Sequence, residues 1–198
     1  MKIVIQLVLL VVIVALGWLV YSSIMEPVKF GEEMNKRQLK VVQHLKDIRS
    51  AQYYYKQEHK EYANSFDSLV AFISEGEIPV VKIIPDPEDT TFVRTINDTV
   101  GYVSVLDSLF GKRMDFNVLS IGVIPFSDGQ MFKLGSGSIQ RGGVKVAVFE
   151  SKAHYKTFLK GMDEQAIINI VAAKEDIERY PGLKVGSMTE PTTDGNWE

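Results

Sequence analysis

The side chains that most often carry chemistry are few and scattered in this sequence. The three histidines are His44, His59 and His154. No two of them have the i, i+4 spacing of a metal-binding pair beside an acid, and the HExxH motif is absent. We therefore expect no metal site, and we interpret each histidine as a surface or boundary residue.

Cysteine is absent from the chain. This excludes a disulfide framework, a thiolate zinc site, a cysteine nucleophile and a lipoprotein anchor, which needs a cysteine at its cleavage point. No serine lies in a GxSxG nucleophile elbow. Because no motif supports a catalytic group, the sequence predicts a protein that is not an enzyme and that uses no cofactor.

Two segments have the composition of a ligand site but not its pattern. Residues 134–145, LGSGSIQRGGVK, are rich in glycine, but they lead into a strand-like sequence where a phosphate-binding loop needs a helix N-terminus. Hairpin turns are predicted there instead. Asp86, Glu88 and Asp89 lack the EF-hand calcium pattern and predict a solvated turn.

The tyrosines are concentrated in one place. Half of the eight lie within ten residues, at Tyr53, Tyr54, Tyr55 and Tyr62. Three successive residues on a helix point in three directions, so at least one of the first three is expected to be exposed or at a boundary. Exposed aromatic side chains are enriched at protein interfaces. The tract is interpreted either as a set of partner contacts or as a corner where a helix packs on a sheet.

The longest apolar segment of the chain runs from Ile3 to Tyr21. It carries no charge, and Gln6 is its one polar residue. As a helix it reaches about 28 Å, close to the ~30 Å hydrocarbon core of a bilayer. We predict that Ile3, Gln6, Leu10, Trp18 and Tyr21 belong to a membrane anchor, with Trp18 and Tyr21 near the membrane–water interface.

A cleaved secretory signal peptide is the competing interpretation, with Ala15-Leu16-Gly17 as its cleavage motif. The apolar run continues past this motif to Tyr21, which favours an uncleaved anchor. Lys2 favours an N-terminus in the cytoplasm. We therefore predict a single-pass protein of the cytoplasmic (inner) membrane whose C-terminal domain is periplasmic.

A long amphipathic stem helix, residues 32–59, is predicted after a hinge over residues 26–31 that contains Pro27 and Gly31. Its apolar stripe comprises Val41, Leu45, Ile48 and Tyr55, with Gln52 filling one gap. Its polar face comprises Lys36, Lys40, Gln43, Lys46, Asp47 and Lys56. The stripe either packs on the protein's own sheet or forms a coiled-coil or partner-helix seam.

The remaining sequence predicts short elements in a mixed order. A helix over 66–74 is capped by Asn64 or Ser65. Strands are predicted over 78–84, 92–96, 99–106, 118–124 and 131–134, with a turn at 85–89 and a hairpin joining Ile139-Gln140 to 144–149. A C-terminal helix over 164–178 follows Asp163.

These patterns predict an α+β fold with a small antiparallel sheet and one soluble domain. The predicted organisation is an anchor over 1–25, a hinge over 26–31, an extracytoplasmic domain over 32–186 and a flexible tail over 187–198. The net charge is -3 and the basic residues are interspersed with acids. Nucleic acid is therefore not an expected partner, because phosphate binding needs clustered lysine and arginine.

The order of parts resembles the type IV pilins and type II secretion pseudopilins over residues 1–80. The likeness rests on IRSAQYYYKQEHKEYANSFDSLVAFI (48–73), similar to the end of a pilin stem helix, and on SEGEIPV (74–80), similar to the Gly-x-Ile-Pro step after it. The chain has no glycine before the apolar stretch and no glutamate within it, so it departs from the pattern for prepilin processing and filament packing. The whole chain also resembles a conserved single-pass membrane protein of Bacteroidota.

The resemblance implies a protein of the cell envelope that works by contact. We expect a structural or interaction protein, a subunit or accessory of a secretion or pilus-like assembly. Its expected partners are the lipid bilayer and other envelope proteins, including a second copy of itself. The alternative is a membrane-tethered sensor or ligand-binding module, which would need a pocket of convergent polar groups.

Overall fold

The computed structural model describes residues 2–85, 95–113 and 116–198. The fold is α+β, as predicted, with one very long helix, two small antiparallel sheets and a C-terminal helix. The helices are α1 (Lys2–His59), α2 (Phe66–Glu75), α3 (Val105–Phe110), α4 (Tyr155–Phe158) and α5 (Glu164–Glu175). The strands are β1 (Glu77–Pro85), β2 (Thr95–Ser104), β3 (Lys133–Arg141), β4 (Val144–His154) and β5 (Gly182–Gly186).

Helix α1 is continuous over 58 residues. It passes through residues 26–31, so the hinge predicted there does not divide it, and the predicted anchor and stem are one helix. Pro27 lies inside α1. Proline removes a single backbone donor, and one lost hydrogen bond does not end a helix whose flanking turns keep theirs. The apolar segment and the folded domain therefore belong to one continuous helix.

The second half of α1 forms one wall of the hydrophobic core. Val41, Leu45 and Ile48 are fully buried, which confirms that the stripe packs within the chain. Gln52 is also 0% exposed. Its side-chain amide donates to the Ala63 carbonyl at 3.0 Å and accepts from the Ala63 N–H at 2.9 Å. This pair satisfies a buried amide and ties the loop after α1 back to the helix.

The second helix matches its prediction closely. α2 begins at Phe66 after the Ser65 cap, whose hydroxyl accepts from the Ser68 N–H at 3.2 Å. It ends at Glu75, and the N–H of Gly76 donates to the Phe72 carbonyl. The residues of α2 that are buried in the core are Phe66, Leu69, Phe72 and Ile73.

After α2, β1 and β2 form a two-stranded antiparallel ribbon with a bulge at Val80/Val81. β1 confirms the strand predicted over 78–84, and β2 covers part of the two strands predicted over 92–96 and 99–106. Residue 105 opens α3 and does not continue the strand. The acidic turn with Asp86, Glu88 and Asp89 lies outside the described residues.

The strand predicted over 118–124 is wrong. Val118–Ser120 form a turn of 3-10 helix, because the Asn117 side chain accepts from the Leu119 N–H and starts a helical turn. Strand pairing in this region is confined to an isolated bridge between Val123 and Met131, among the described residues.

The main sheet has three strands in the order β3-β4-β5, all antiparallel. β3 and β4 are joined by the two residues Gly142 and Gly143, as the hairpin prediction requires. Both have positive φ, 59° and 82°, the conformation that a tight two-residue turn needs and that glycine adopts without strain. Phe149, on β4, is buried against the α1 side of the molecule, where it contacts Tyr62.

The C-terminal helix α5 begins after Asp163, whose carboxylate caps the Ala166 N–H. It ends at Glu175, three residues earlier than predicted. Glu178, inside the predicted helix, has a φ of 55°, which is incompatible with a right-handed helix. The chain then turns back to form β5.

The tail predicted to be flexible, residues 187–198, is held against the domain. The N–H of Gly186 donates to the Asp194 carbonyl at 3.0 Å, and the N–H of Asn196 donates to the Lys184 carbonyl at 3.0 Å. Trp197 packs against the core, and Arg49 of α1 forms an ion pair with Glu198 at 2.9 Å. The polar composition suggested a loose tail, but backbone hydrogen bonding to β5 holds it.

Candidate interaction site

The predicted anchor residues all lie on the first half of α1 and are exposed. Trp18 is 69% exposed and lies 6.2 Å from Tyr21 between ring centroids. Ile3, Gln6 and Leu10 are exposed in the same way. Within the described residues, α1 is the one helix long and apolar enough to cross a membrane. Residues 2–21 of α1 are all exposed, which is compatible with a single-pass membrane protein and with lipid contact.

The tyrosine tract is divided between surface and core, as helical spacing requires. Tyr53 is 55% exposed, whereas Tyr54 and Tyr55 are partly buried. Tyr55 stacks on His59 with 4.1 Å between ring centroids and meets Phe72 edge-on at 5.2 Å. Tyr55 thus forms the corner between α1 and α2, and Tyr53 is the exposed tyrosine of this tract.

Tyr62 lies on the loop after α1 and is buried. Its ring lies 4.6 Å from that of Phe149 on β4, and the ammonium group of Lys56 lies 4.7 Å from the ring centre. Packing on the sheet therefore accounts for most of its surface. Its remaining surface lines two clefts.

The first cleft has a volume of about 490 Å³ and is bounded by the loop after α1 and by the β3–β4 hairpin. Its lining is polar and includes Lys60, Glu61, Asn64, Ser136, Ser138 and Lys145. Lys60 has a φ of 63° at the C-terminus of α1, where glycine is the usual residue. Lys60 therefore contributes a cation to this cleft from a backbone conformation that is strained for a lysine.

The second cleft, of about 410 Å³, is also lined by Tyr62. It brings together Tyr53, Tyr54 and Tyr62 with Arg49, Leu109 and Thr193. Three of the four predicted partner tyrosines therefore share one concave surface. Aromatic rings beside an arginine are the side chains most enriched where proteins bind one another.

An ion pair with a buried carboxylate joins α1 to a distant segment, and the sequence pattern missed it. Asp47, assigned to the polar face of the stem, is buried, and one guanidinium nitrogen of Arg113 lies 2.7 Å and 2.8 Å from its two oxygens. Gln43 donates to the same carboxylate at 3.0 Å. Helical periodicity cannot show this contact, because Arg113 is 66 residues distant. The pair fixes the segment after α3 to α1.

The histidines are dispersed. His44 is partly buried, and this burial lowers its pKa, with nearby Arg113 and Lys40 acting in the same direction and Asp47 opposing. Burial likewise lowers the pKa of His154, which caps α4 by accepting from the Lys156 N–H. Among the described residues, no group of three histidine, aspartate or glutamate side chains is placed to hold a metal ion.

Two strand surfaces remain accessible in the described part of the chain. The β1–β2 ribbon exposes apolar side chains, namely Val80, Val81, Val100, Tyr102 and Val103. In the main sheet, β5 is covered by the C-terminal tail, but no described residue forms a backbone hydrogen bond to the outer edge of β3. An exposed strand edge is a ready template for another chain.

The chain has no match among protein-family models, curated proteins or solved structures. Its function therefore has to be inferred from its own geometry.

Proposed function

We propose that this chain is a single-pass protein of the bacterial cytoplasmic membrane that acts by protein–protein contact. Its N-terminus lies in the cytoplasm and its α+β domain lies in the periplasm. There the domain serves as a subunit or accessory of an envelope assembly such as a secretion or pilus-like machine. The observation that carries the proposal is the continuity of α1, which joins an exposed apolar half to a half that forms the core.

The rest of the domain contacts α1 at several positions along the helix. Near its membrane-facing end, Arg37 donates to the carbonyls of Phe158 and Lys160 at 3.1 Å and 2.9 Å. About three turns further on, Asp47 binds Arg113, and about four turns further on, Gln52 binds Ala63. A flexible tether would not need such contacts, so they support a rigid spine that sets the height and orientation of the domain.

The spine also places the candidate contact surfaces away from the bilayer. From Tyr21 to Arg37 the helix rises about 24 Å, and Tyr53 lies about 24 Å beyond Arg37. The tyrosine cleft and the loop after α1 are therefore presented far from the lipid headgroups. This position favours contact with other envelope proteins.

A crosslinking experiment tests the assembly role. A photoreactive amino acid replaces Tyr53 in the full chain, expressed at its native level, and the cells are irradiated before partners are identified. Glu58 is the matched control, because it is exposed on the same helix and lies roughly 140° around it. Adducts with envelope proteins at Tyr53 and none at Glu58 support the proposal. Recovery of the monomer alone at both positions contradicts it.

The orientation is tested with single cysteines, since the chain has none of its own. Ile3→Cys and Leu119→Cys, which both retain Lys2, are each exposed to a membrane-impermeant maleimide in cells with a permeabilised outer membrane. We expect labelling at position 119 in intact inner membranes and at position 3 only after lysis. The reverse pattern overturns the proposed orientation.

A membrane-tethered ligand-binding module is the second candidate, and the polar cleft of about 490 Å³ favours it. Its volume lies in the range of small-molecule sites, and it gathers hydroxyl, amide and ammonium groups. A small metabolite that raises the unfolding temperature of the full chain, with no crosslinked partner at Tyr53, would favour this role over assembly.

A further inference from the structure

The two edges of the main sheet differ in whether another segment of the chain pairs with them. The β5 edge is occupied by the chain's own tail through the bonds of Gly186 and Asn196 and a bridge between Val185 and Gly195. The β3 edge receives no backbone hydrogen bond from any described residue. A protein that covers one edge and leaves the other open has a surface on which a further strand can add.

The open strand lacks two features that often protect an edge, a proline and a β-bulge. β3 is nine residues long, contains no proline and pairs with β4 in an unbroken register from Lys133 to Arg141. Its centre, Gly135 to Ser138, has small side chains, so an approaching backbone meets little steric hindrance. Its unpaired N–H and C=O groups form a regular row.

The surroundings of this edge are positively charged. Lys133 and Arg141 lie at its two ends, and Lys60 and Lys145 line the adjacent cleft. All four are exposed, and none forms an ion pair with a carboxylate in the part of the chain that the structure describes. Glu61 is the carboxylate that lines the same cleft. This excess of cations is complementary to a negatively charged partner.

The same charges disfavour a second copy of the chain as the occupant. If two β3 edges paired about a two-fold axis at Gly137, Lys133 of one copy would lie opposite Arg141 of the other, twice over. Like charges directly opposite each other destabilise an antiparallel pair. A strand that carries acidic side chains meets attraction at the same positions.

The cleft gives such a strand a place for its side chains. Ser136 and Ser138 line the cleft, and residues paired across strands share one face of a sheet. Side chains of an added strand opposite these serines would therefore project toward Lys60 and Lys145. The strained backbone of Lys60 keeps one of these cations at a position where glycine would fit more easily.

We propose that the open edge of β3 is a docking site for an extended peptide segment rich in acidic side chains, which adds to the sheet as a fourth strand. The proposal rests on the interaction role inferred above and specifies the chemistry of one partner. Backbone hydrogen bonds to β3 supply binding, and carboxylates opposite Ser136 and Ser138, on the cleft face, meet Lys60 and Lys145 and supply selectivity.

Peptide binding to the full chain in lipid nanodiscs tests the proposal. The probe is a fluorescent nonapeptide of alternating valine and glutamate, compared with a peptide in which lysine replaces glutamate and with one N-methylated at alternate residues. We expect the acidic peptide to bind at least tenfold more tightly than either control, and its affinity to fall as salt rises. Similar affinity for all three peptides, or binding of none, overturns the proposal.

The Lys60→Gly variant links binding to the site without threatening the fold, because glycine accepts the positive φ. We expect an unchanged or higher unfolding midpoint and an affinity for the acidic peptide that is three- to tenfold weaker. Lys112→Gly, at an exposed lysine in a turn outside the site, is the matched control and should bind as the parent does. Equal affinities for Lys60→Gly and the parent count against the docking site.

The two proposals fail separately. If Tyr53 still crosslinks to envelope proteins in cells but the acidic peptide does not bind, the assembly role stands and the docking site is wrong. If the peptide binds with the expected selectivity while Tyr53 crosslinks to nothing, the docking site stands and the assembly role is wrong.

Discussion

Replacement of Gln52 tests how the loop after α1 is held in place. Gln52→Met keeps the volume of the side chain but leaves the N–H and the carbonyl of Ala63 buried without their partners. Each unsatisfied buried group costs about 1–3 kcal/mol, so we expect the free energy of unfolding to fall by about 2–6 kcal/mol. The loop that carries Lys60 and Tyr62 should become mobile at the same time.

The measurement is denaturant unfolding of the full chain in detergent micelles, followed by tyrosine fluorescence. Gln57→Met is the matched control, because Gln57 is exposed on the same helix and should change the stability by less than about 0.5 kcal/mol. If Gln52→Met unfolds within that same margin, the loop is not held by this pair and the reasoning fails.

Gln52→Glu adds a pH dependence to the same test. A protonated glutamic acid can donate to the Ala63 carbonyl and accept from its N–H, whereas the carboxylate faces the carbonyl with no proton to give. Burial then raises the pKa of Glu at this position above its unfolded value of about 4.3. Relative to the parent at each pH, the variant should be most stable below pH of about 4 and lose stability as the pH rises through the folded pKa.

Other predictions concern the packing around the stem. Removing either partner of the Asp47–Arg113 ion pair should destabilise the protein in the same unfolding assay. Arg113→Met should cost more than Asp47→Asn, because it leaves the more buried charge unpaired. We expect Arg113→Met to lower the free energy of unfolding by about 2–4 kcal/mol after allowance for solvent exposure. Gly186→Ala should lower the melting temperature far more than Gly142→Ala, since both glycines have positive φ but the added methyl group meets a backbone carbonyl only at the first; equal shifts would contradict this packing. Because burial lowers the pKa of His44 below its ordinary 6.5, stability should fall as the pH drops below that value, and His44→Gln should flatten this dependence.

Hydrophobic periodicity was sufficient for the parts of the fold that depend on local sequence. The apolar length of residues 3–21, the stripe through Val41, Leu45 and Ile48, the Ser65 cap and the Gly142-Gly143 turn are all readable from the sequence. Each is decided within one or two turns of chain, where burial, a cap or a positive φ restricts the residue type. The α+β class and the antiparallel hairpin follow from them.

Tertiary contacts decided the rest. Pro27 and Gly31 suggest a hinge, whereas in the structure α1 continues through both residues. The sequence pattern places Asp47 on the solvated face of the helix, but in the structure it binds Arg113, which is 66 residues away in the sequence. The composition of the tail predicts a flexible segment, but its backbone pairs with β5. The open edge of β3 can be identified only from the strand order of the sheet. Composition and spacing determine local conformation and the apolar segment. Which polar groups meet, and which strand edge stays free, depends on contacts between distant residues that no local pattern encodes.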